Sequence, residues 1–402
     1  MRAVRRLPLA GLVAIAAWGA AGTASAHGAE PYVAGLDQPT NMAFAPDGRL
    51  FLTEQATGQV RIVEADGTLR EAPFAEFPVG SSFETGLLGI ALHPDFDAGE
   101  PYLYLYLTEP GPGMNVIGRV RADGDTAGGF ERLRETVPGA NAYHNGGDLL
   151  FGPDGRLYAT VGEAHESARA QDVDDPGGKV LRLTDRAEPA PGNPFGEGNP
   201  AFTMGHRNSF GICLDEAGTI WETENGPDRD DEVNRLEAGG NYGWPVVLGP
   251  DGDGQFVDPV AVLADPVALT GCAWWQGSLY VGSYNDGQVR HVDVGSGDMT
   301  VFARFGAGVT DLQVGPDGWL YVATANAIWR IAPGTEATDG PGEEIDEGTS
   351  IPARTWVALG AAVVLAVALV VRIAAGRRLR RAAGEDAEDA EDDRDPPPDA
   401  AG

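Results

Sequence analysis

One unit recurs along this chain and limits what it can fold into. Asn41 to Thr53 reads NMAFAPDGRLFLT, Gly147 to Val161 reads GDLLFGPDGRLYATV, and Asp311 to Thr324 reads DLQVGPDGWLYVAT. Looser copies are LLGIALHPDF followed by YLYLYLT from Leu87, GICLDEAGTIWET from Gly211, and GCAWWQGSLYVGS from Gly271. Each copy alternates apolar residues, turns, and alternates again, the period of a half-buried β-hairpin. In Pro-Asp-Gly, proline presets φ, aspartate bonds the local backbone and glycine accepts a positive φ. Hairpins recurring every 40–60 residues or so match the blades of a propeller, each usually of four strands. A sandwich also has short strands, but not one motif at such intervals. The reading is all-β, a six-bladed β-propeller over residues 27–332.

A hairpin returns to the end from which it starts. If it forms the inner half of each blade, the residues flanking it ring the mouth of the central channel. Thr40-Asn41, Glu84-Thr85, His144-Asn145, Arg207-Asn208 and Thr310-Asp311 precede first strands. Glu54-Gln55, Glu163, Glu224-Asn225, Tyr284-Asn285 and Asn326 follow second strands. Loop tips are polar by default, so the informative part is His, Arg and Glu on one ring.

His144 stands beside Asn145-Gly146-Gly147, whose glycines permit close approach. Its imidazole suits a general base near neutral pH, with Glu163 of the same blade to orient it; a solvent-facing histidine is the plain alternative. Arg207 can stabilise charge developing on a bound oxygen, or simply pair with surface carboxylates. From Glu224 to Glu232, carboxylates alternate with Gly226 and Pro227, a hard-oxygen set suited to Ca²⁺ rather than an EF-hand loop; a solvated acidic turn reads the same way. Cys213 and Cys272 occupy similar strands of neighbouring blades, so they are either a disulfide or two buried thiols.

Together these segments resemble the soluble-type quinoprotein sugar dehydrogenases, the glucose/sorbosone (aldose) dehydrogenase family. The residues that carry the likeness are Glu84 through Phe96, His144, Gly178 to Arg182, Gly205 to Asn208, Gly226-Pro227 through Asp231-Glu232, and Asn241 to Pro245. The resemblance runs from about Gly35 to Pro333. It implies that His144 takes the proton from a sugar hydroxyl while hydride passes to pyrroloquinoline quinone (PQQ). It further implies that Glu163 orients His144, that Arg207 stabilises the reduced quinone oxygen, and that Asn208 contacts the cofactor. The carbonyls of Gly226 and Pro227 would hold a Ca²⁺ acting as Lewis acid, and Glu232 and Tyr242 a further structural calcium.

The chain departs from the family where the cofactor's carboxylates should be met. Asn285 stands in place of a lysine, Gly308 and Thr310 in place of arginines, and Glu84 where a glutamine often contacts the cofactor. Losing about three charge-assisted contacts, at roughly 1.5–3 kcal/mol each, removes several orders of magnitude in affinity. Lys179 is the chain's single lysine, so replacement cations must be arginines, with Arg304 a candidate. Two readings follow: a PQQ- and calcium-dependent aldose dehydrogenase, or a propeller that has lost PQQ and serves as a calcium-stabilised ligand binder or hydrolase.

The remainder places the chain in the cell. Met1 to Ala26 has Arg2, Arg5 and Arg6, an apolar stretch from Leu7 to Ala21, and Ala24-Ser25-Ala26, a secretory signal or else an uncleaved anchor. Residues 333–352 read as an acidic tether. Trp356 to Val371, extended to residues 353–375, reads as a transmembrane helix followed by Arg377, Arg378, Arg380 and Arg381 on the cytoplasmic side. The expectation is an exported, membrane-anchored domain with a disordered cytoplasmic tail over 376–402. A net charge of −32 repels phosphate backbones and argues against nucleic-acid partners. No haem-attachment motif points to the electron acceptor.

Overall fold

Each repeated hairpin becomes the inner two strands of one antiparallel sheet. The computed structural model describes residues 28–335 except 112, 140, 141 and 251–253, together with the backbone of 344–345. The first blade runs Pro39–Phe44, Leu50–Glu54, Gln59–Val63, Ala75–Glu76 from the channel outward. The next five begin with inner strands Leu87–Leu92, Gly146–Phe151, Ser209–Leu214, Leu269–Trp275 and Val309–Val314. These inner strands pack side by side in a closed ring, the last against the first. The architecture is the expected six-bladed propeller.

Turn chemistry works as the sequence requires. In the three Pro-Asp-Gly turns, Asp47, Asp154 and Asp317 accept the amides of Arg49, Arg156 and Trp319 at 3.1, 3.1 and 3.2 Å. Gly48, Gly155 and Gly318 hold φ of 90°, 69° and 79°, open to glycine at little strain.

Closure uses a strand from the far end of the chain. The last blade takes Leu320–Thr324 and Ala327–Ile331 from its own segment, and its outermost strand is Ala29–Ala34, paired antiparallel with Ala327–Ile331. Apolar side chains fill the wedges between blades, as where Phe51 and Ile62 of one blade meet Ile90 and Leu105 of the next. Polar contacts fix the register of that packing. Asn41 Oδ1 accepts the Ile90 amide at 2.9 Å, Asp148 Oδ2 the Ile212 amide at 2.8 Å, and Asp311 Oδ2 the Met42 amide at 2.8 Å. Each joins the inner strands of adjacent blades. At Gly89 the strands come so close that a Cβ would lie 2.0 Å from the Gly147 carbonyl oxygen.

Cys213 and Cys272 form a disulfide between the fourth and fifth inner strands, with Cα atoms 5.7 Å apart, which settles the alternative left open above. The expected signal segment, the span over 353–375 and the tail lie outside the described residues, as does most of the tether. Among the described residues no helix is long and apolar enough to cross a membrane.

The disulfide closes a 59-residue separation, and such a staple is worth about 2–4 kcal/mol, chiefly by restricting the unfolded chain. Replacing both cysteines by alanine should lower equilibrium unfolding stability by that amount. An unchanged denaturation midpoint would show that the staple contributes nothing.

Candidate active site

The strand order carries the polar hairpin ends to one face, where they surround a cavity of about 430 Å³. Its walls include Thr40, Asn41, Gln55, Glu84, Asp148, Asn225, Tyr284, Asn285, Thr310 and Asp311. Most of these are positions expected to ring the channel.

His144 lies between the cavity-lining Tyr143 and Gly146 without lining the cavity itself, and is 6% exposed with φ of 56°. Three contacts fix it in that strained conformation. Its Nδ1 lies 2.8 Å from Glu163 Oε1, its amide donates to Glu84 Oε2 at 2.7 Å, and its carbonyl accepts the Ala164 amide at 3.0 Å. Glu163 is 2% exposed, and its other carboxylate oxygen has no hydrogen-bond partner among the described residues. Glu84 Oε2 also accepts Asn208 Nδ2 at 3.3 Å, and Asn208 Oδ1 accepts the Gly146 amide at 3.4 Å. Arg207 joins the group through its backbone, its carbonyl accepting the Glu163 amide at 2.9 Å. His144, Glu163, Glu84, Arg207 and Asn208 therefore form one connected network.

The Arg207 guanidinium turns toward the acidic loop. Its Nη1 donates to the carbonyls of Asn225 at 2.8 Å and Gly226 at 3.0 Å, and the group lies 5.6 Å from the Trp244 ring centroid. Burial lowers its pKa, opposed by the carboxylates of Glu163, Glu224, Glu84 and Asp231. Gly226 is obligatory, since a Cβ would fall 1.9 Å from the Arg229 carbonyl oxygen. Asp231 pins the loop, accepting the amides of Gly226 at 2.9 Å and Val267 at 2.8 Å.

Gly226, Glu232 and Tyr242, three of the four expected metal residues, converge with Glu224 and Asp230 on a cavity of about 10 Å³, room for roughly one water-sized occupant. Pro227, the fourth, is exposed on the turn and does not line that cavity. The Tyr242 hydroxyl is occupied, donating to the Arg235 carbonyl at 2.6 Å and accepting the Glu237 amide at 3.0 Å.

Sequence reasoning missed the layer beneath. His206, Glu222 and Glu224 bring ligand atoms within 4.8 Å of one another, all buried. Glu224 Oε2 lies 2.9 Å from His206 Nδ1, while Glu224 Oε1 accepts the Arg207 amide. Glu224 thus sets the backbone from which the guanidinium projects. Burial, reinforced by the charge of Glu224, raises Glu222 to about 8, and burial lowers His206 to about 4. A readable signal existed: in Trp-Glu-Thr-Glu the two glutamates share one face of a strand. Nearby, Lys179 is fully buried, its ammonium donating to the carbonyls of Arg169, Ala170 and Gly177 at 2.8, 3.2 and 2.8 Å.

The cavity wall opposite the base corrects one expectation. Arg304 lies on the fourth strand of its blade, Met299–Phe305, which is flanked outside by Glu344–Ile345, rather than in the cavity. Arg290 is held by Asp286 and Ser283. Among the described residues lining the cavity there is no lysine or arginine; its carboxyl groups are those of Glu84, Asp148 and Asp311, and burial pushes the last two toward the neutral form.

The Glucose / Sorbosone dehydrogenase family model matches residues 36–331, and the chain belongs to that family. It is 31% identical over 338 residues to the aldose sugar dehydrogenase YliI of Escherichia coli K12, covering 74% of this chain and 91% of that one. It is similar to the PQQ-bound aldose sugar dehydrogenase of Streptomyces coelicolor, with a TM-score of 0.69 and 32% identity over 75% of this chain and 96% of that one. The apo form of the soluble E. coli aldose sugar dehydrogenase gives 0.66 and 28%, over 76% and 99%.

Glu222 yields a pH test. Its folded value of about 8 lies above the ordinary 4.5, so the folded chain holds a proton there that the unfolded chain releases. The stability it contributes is complete below about pH 4.5 and is lost as pH rises through about 8. Glu222→Gln, neutral throughout, should flatten the fall in urea-unfolding stability between pH 5 and 8. Equal slopes in the two proteins would refute a protonated Glu222.

Proposed function

We propose that this protein is an exported, membrane-anchored aldose dehydrogenase that uses PQQ and calcium, with His144 as general base. The observation that carries the reading is the pair of His144 Nδ1 and Glu163 Oε1 at 2.8 Å, with the Glu163 amide bonded to the Arg207 carbonyl. A carboxylate on Nδ1 selects the tautomer with its proton there and leaves the Nε2 lone pair free. Nε2 can then take the proton of a sugar hydroxyl as the attached carbon gives up hydride, and Glu163 stabilises the imidazolium that results.

On this reading the quinone end of the cofactor would lie beside Glu84, which lines the cavity. Arg207 and Asn208 would hold it, and Glu84 would contact it. The Gly226 carbonyl and the Glu232 carboxylate, which share one small cavity, would hold a single Ca²⁺; a second ion at Glu232 and Tyr242 has no separate cavity there and is not proposed. When bound, the quinone supplies the two-electron oxidant, and the metal raises its electrophilicity. An ion at Gly226 would compete with the Arg207 guanidinium for that carbonyl. The cation-free opposite wall favours the second reading, a calcium-stabilised binder without PQQ, and the experiment below separates the two.

Full-length protein loaded with PQQ and Ca²⁺ should reduce an electron-accepting dye in the presence of aldoses. Chelation should abolish the reduction, and added Ca²⁺ should restore it. His144→Ala should lower turnover by about 10²–10⁴-fold, the range for a positioned base, with PQQ affinity by calorimetry retained. Absence of both PQQ binding and dye reduction across a sugar panel would leave only the binding-module reading.

A further inference from the structure

Beneath the Arg207 loop, one face of the fourth blade turns from apolar to polar. Alternate residues of strands Ile220–Glu224 and Asp231–Arg235 share that face. At one end Ile220 and Leu236 join Val180 of the third blade in an apolar cluster. Further along, Glu222 pairs in register with Asn234, and Glu224 with Glu232. Glu222 and Asn234 are wholly buried. Among the described residues no lysine or arginine side chain pairs with Glu222, Glu224 or Glu232, and Glu224 faces only the His206 imidazole. Carboxyl groups enclosed without a cation are costly to keep.

Three side chains here are each held at one atom and left open at another. Thr203 Oγ1 lies 2.9 Å from His206 Nε2, and by accepting its N–H leaves the Nδ1 lone pair free. The Tyr242 ring, stacked on His206 at 4.6 Å, fixes the imidazole plane. Asn234 Nδ2 donates to Glu222 Oε2 at 3.0 Å, while Glu222 Oε1 has no hydrogen-bond partner among the described residues. The Arg207 amide donates to Glu224 Oε1, so Oε2 is the atom that faces His206 Nδ1 at 2.9 Å. A lone pair and a carboxylate oxygen that close repel unless a proton or a cation lies between them. Outer hydrogen bonds that fix the far atom of each donor are how proteins aim side chains at a metal.

The donor set selects the ion. Ca²⁺ takes about 6–8 oxygen ligands, whereas one imidazole nitrogen with two carboxylates suits a first-row divalent ion, Zn²⁺ above all. Two carboxylates also balance its charge. Donor atoms about 2.0–2.2 Å from a tetrahedral ion stand about 3.4 Å apart. Those of His206, Glu222 and Glu224 lie within 4.8 Å of one another, so side-chain rotation suffices to close on it. Glu224 borders the small cavity at Gly226, but His206 and Glu222 do not. The position is therefore distinct from the one offered to Ca²⁺.

We propose that His206, Glu222 and Glu224 form a buried site for a structural Zn²⁺ that ties the link between the third and fourth blades to the fourth blade's second strand. In metal-free protein the proton on Glu222 takes its place. Such an ion needs neither sugar nor PQQ, so failure of the dehydrogenase reading leaves it standing. Because the donors are buried, the ion leaves only when the blade opens, and a chelator removes it slowly. Full-length protein produced with Zn²⁺ or Co²⁺ in the medium is treated with EDTA, desalted and assayed for metal by mass spectrometry. Wild type should keep about one equivalent of Zn²⁺ and Glu222→Gln at least tenfold less, with equal Ca²⁺ uptake by the two. The cobalt protein should show visible d–d absorption that the variant lacks. Thr203→Val, which removes no donor, should weaken retention through the imidazole and decides the matter if Glu222→Gln does not fold. Wild type without EDTA-resistant metal overturns the site, as does equal retention by wild type and Glu222→Gln. Retention of Ca²⁺ in place of Zn²⁺ and Co²⁺ overturns the choice of ion. Glu222-dependent Zn²⁺ in a protein that reduces no dye supports the site and removes only the redox reading.

Discussion

The contact on which the site most depends is a buried carboxylate accepting an amide from the next blade. Asp148 lies four residues after His144, and Ile212, whose amide it accepts at 2.8 Å, lies five after Arg207. That one bond sets the register of two inner strands, and so the relative height of the loops that precede them. Burial pushes Asp148 up to about 7 against the pull of its amide partners. The ring thus keeps an acid whose charge it disfavours, because no apolar side chain could accept that N–H. With the register fixed, the Glu163 amide reaches the Arg207 carbonyl, and base and cation share one rim.

Charge is then arranged in two halves. On one side Arg207 is balanced by Glu84, Glu163, Glu224 and Asp231, with carbonyls aimed into the same region. The other side of the cavity, at Asn285, Thr310 and Asp311, has neutral and acidic groups only. The far wall therefore offers no cation to an anionic ligand edge.

Much of this was legible in the sequence, because hairpin geometry is local. Pro-Asp-Gly turns and period-2 alternation located the inner strands, and the rule that hairpins return to their starting end put His144, Glu163 and Arg207 on one rim. What was not legible depends on side-chain direction or distant pairing. Arg304 was a reasonable replacement cation until its strand proved to be the fourth from the channel. Pro227 shares its loop with Gly226, yet one residue faces a cavity and the other water. The closing strand Ala29–Ala34 was invisible because its partner lies nearly three hundred residues away.

Lys179 has a practical consequence. The chain's only lysine is fully enclosed, its ammonium capped by three backbone carbonyls and burial lowering it to about 8. Amine-directed reagents therefore find no side chain to acylate on the folded surface. Tethering through such reagents is confined to an α-amino terminus, so every molecule coupled that way to a solid support hangs from the same point.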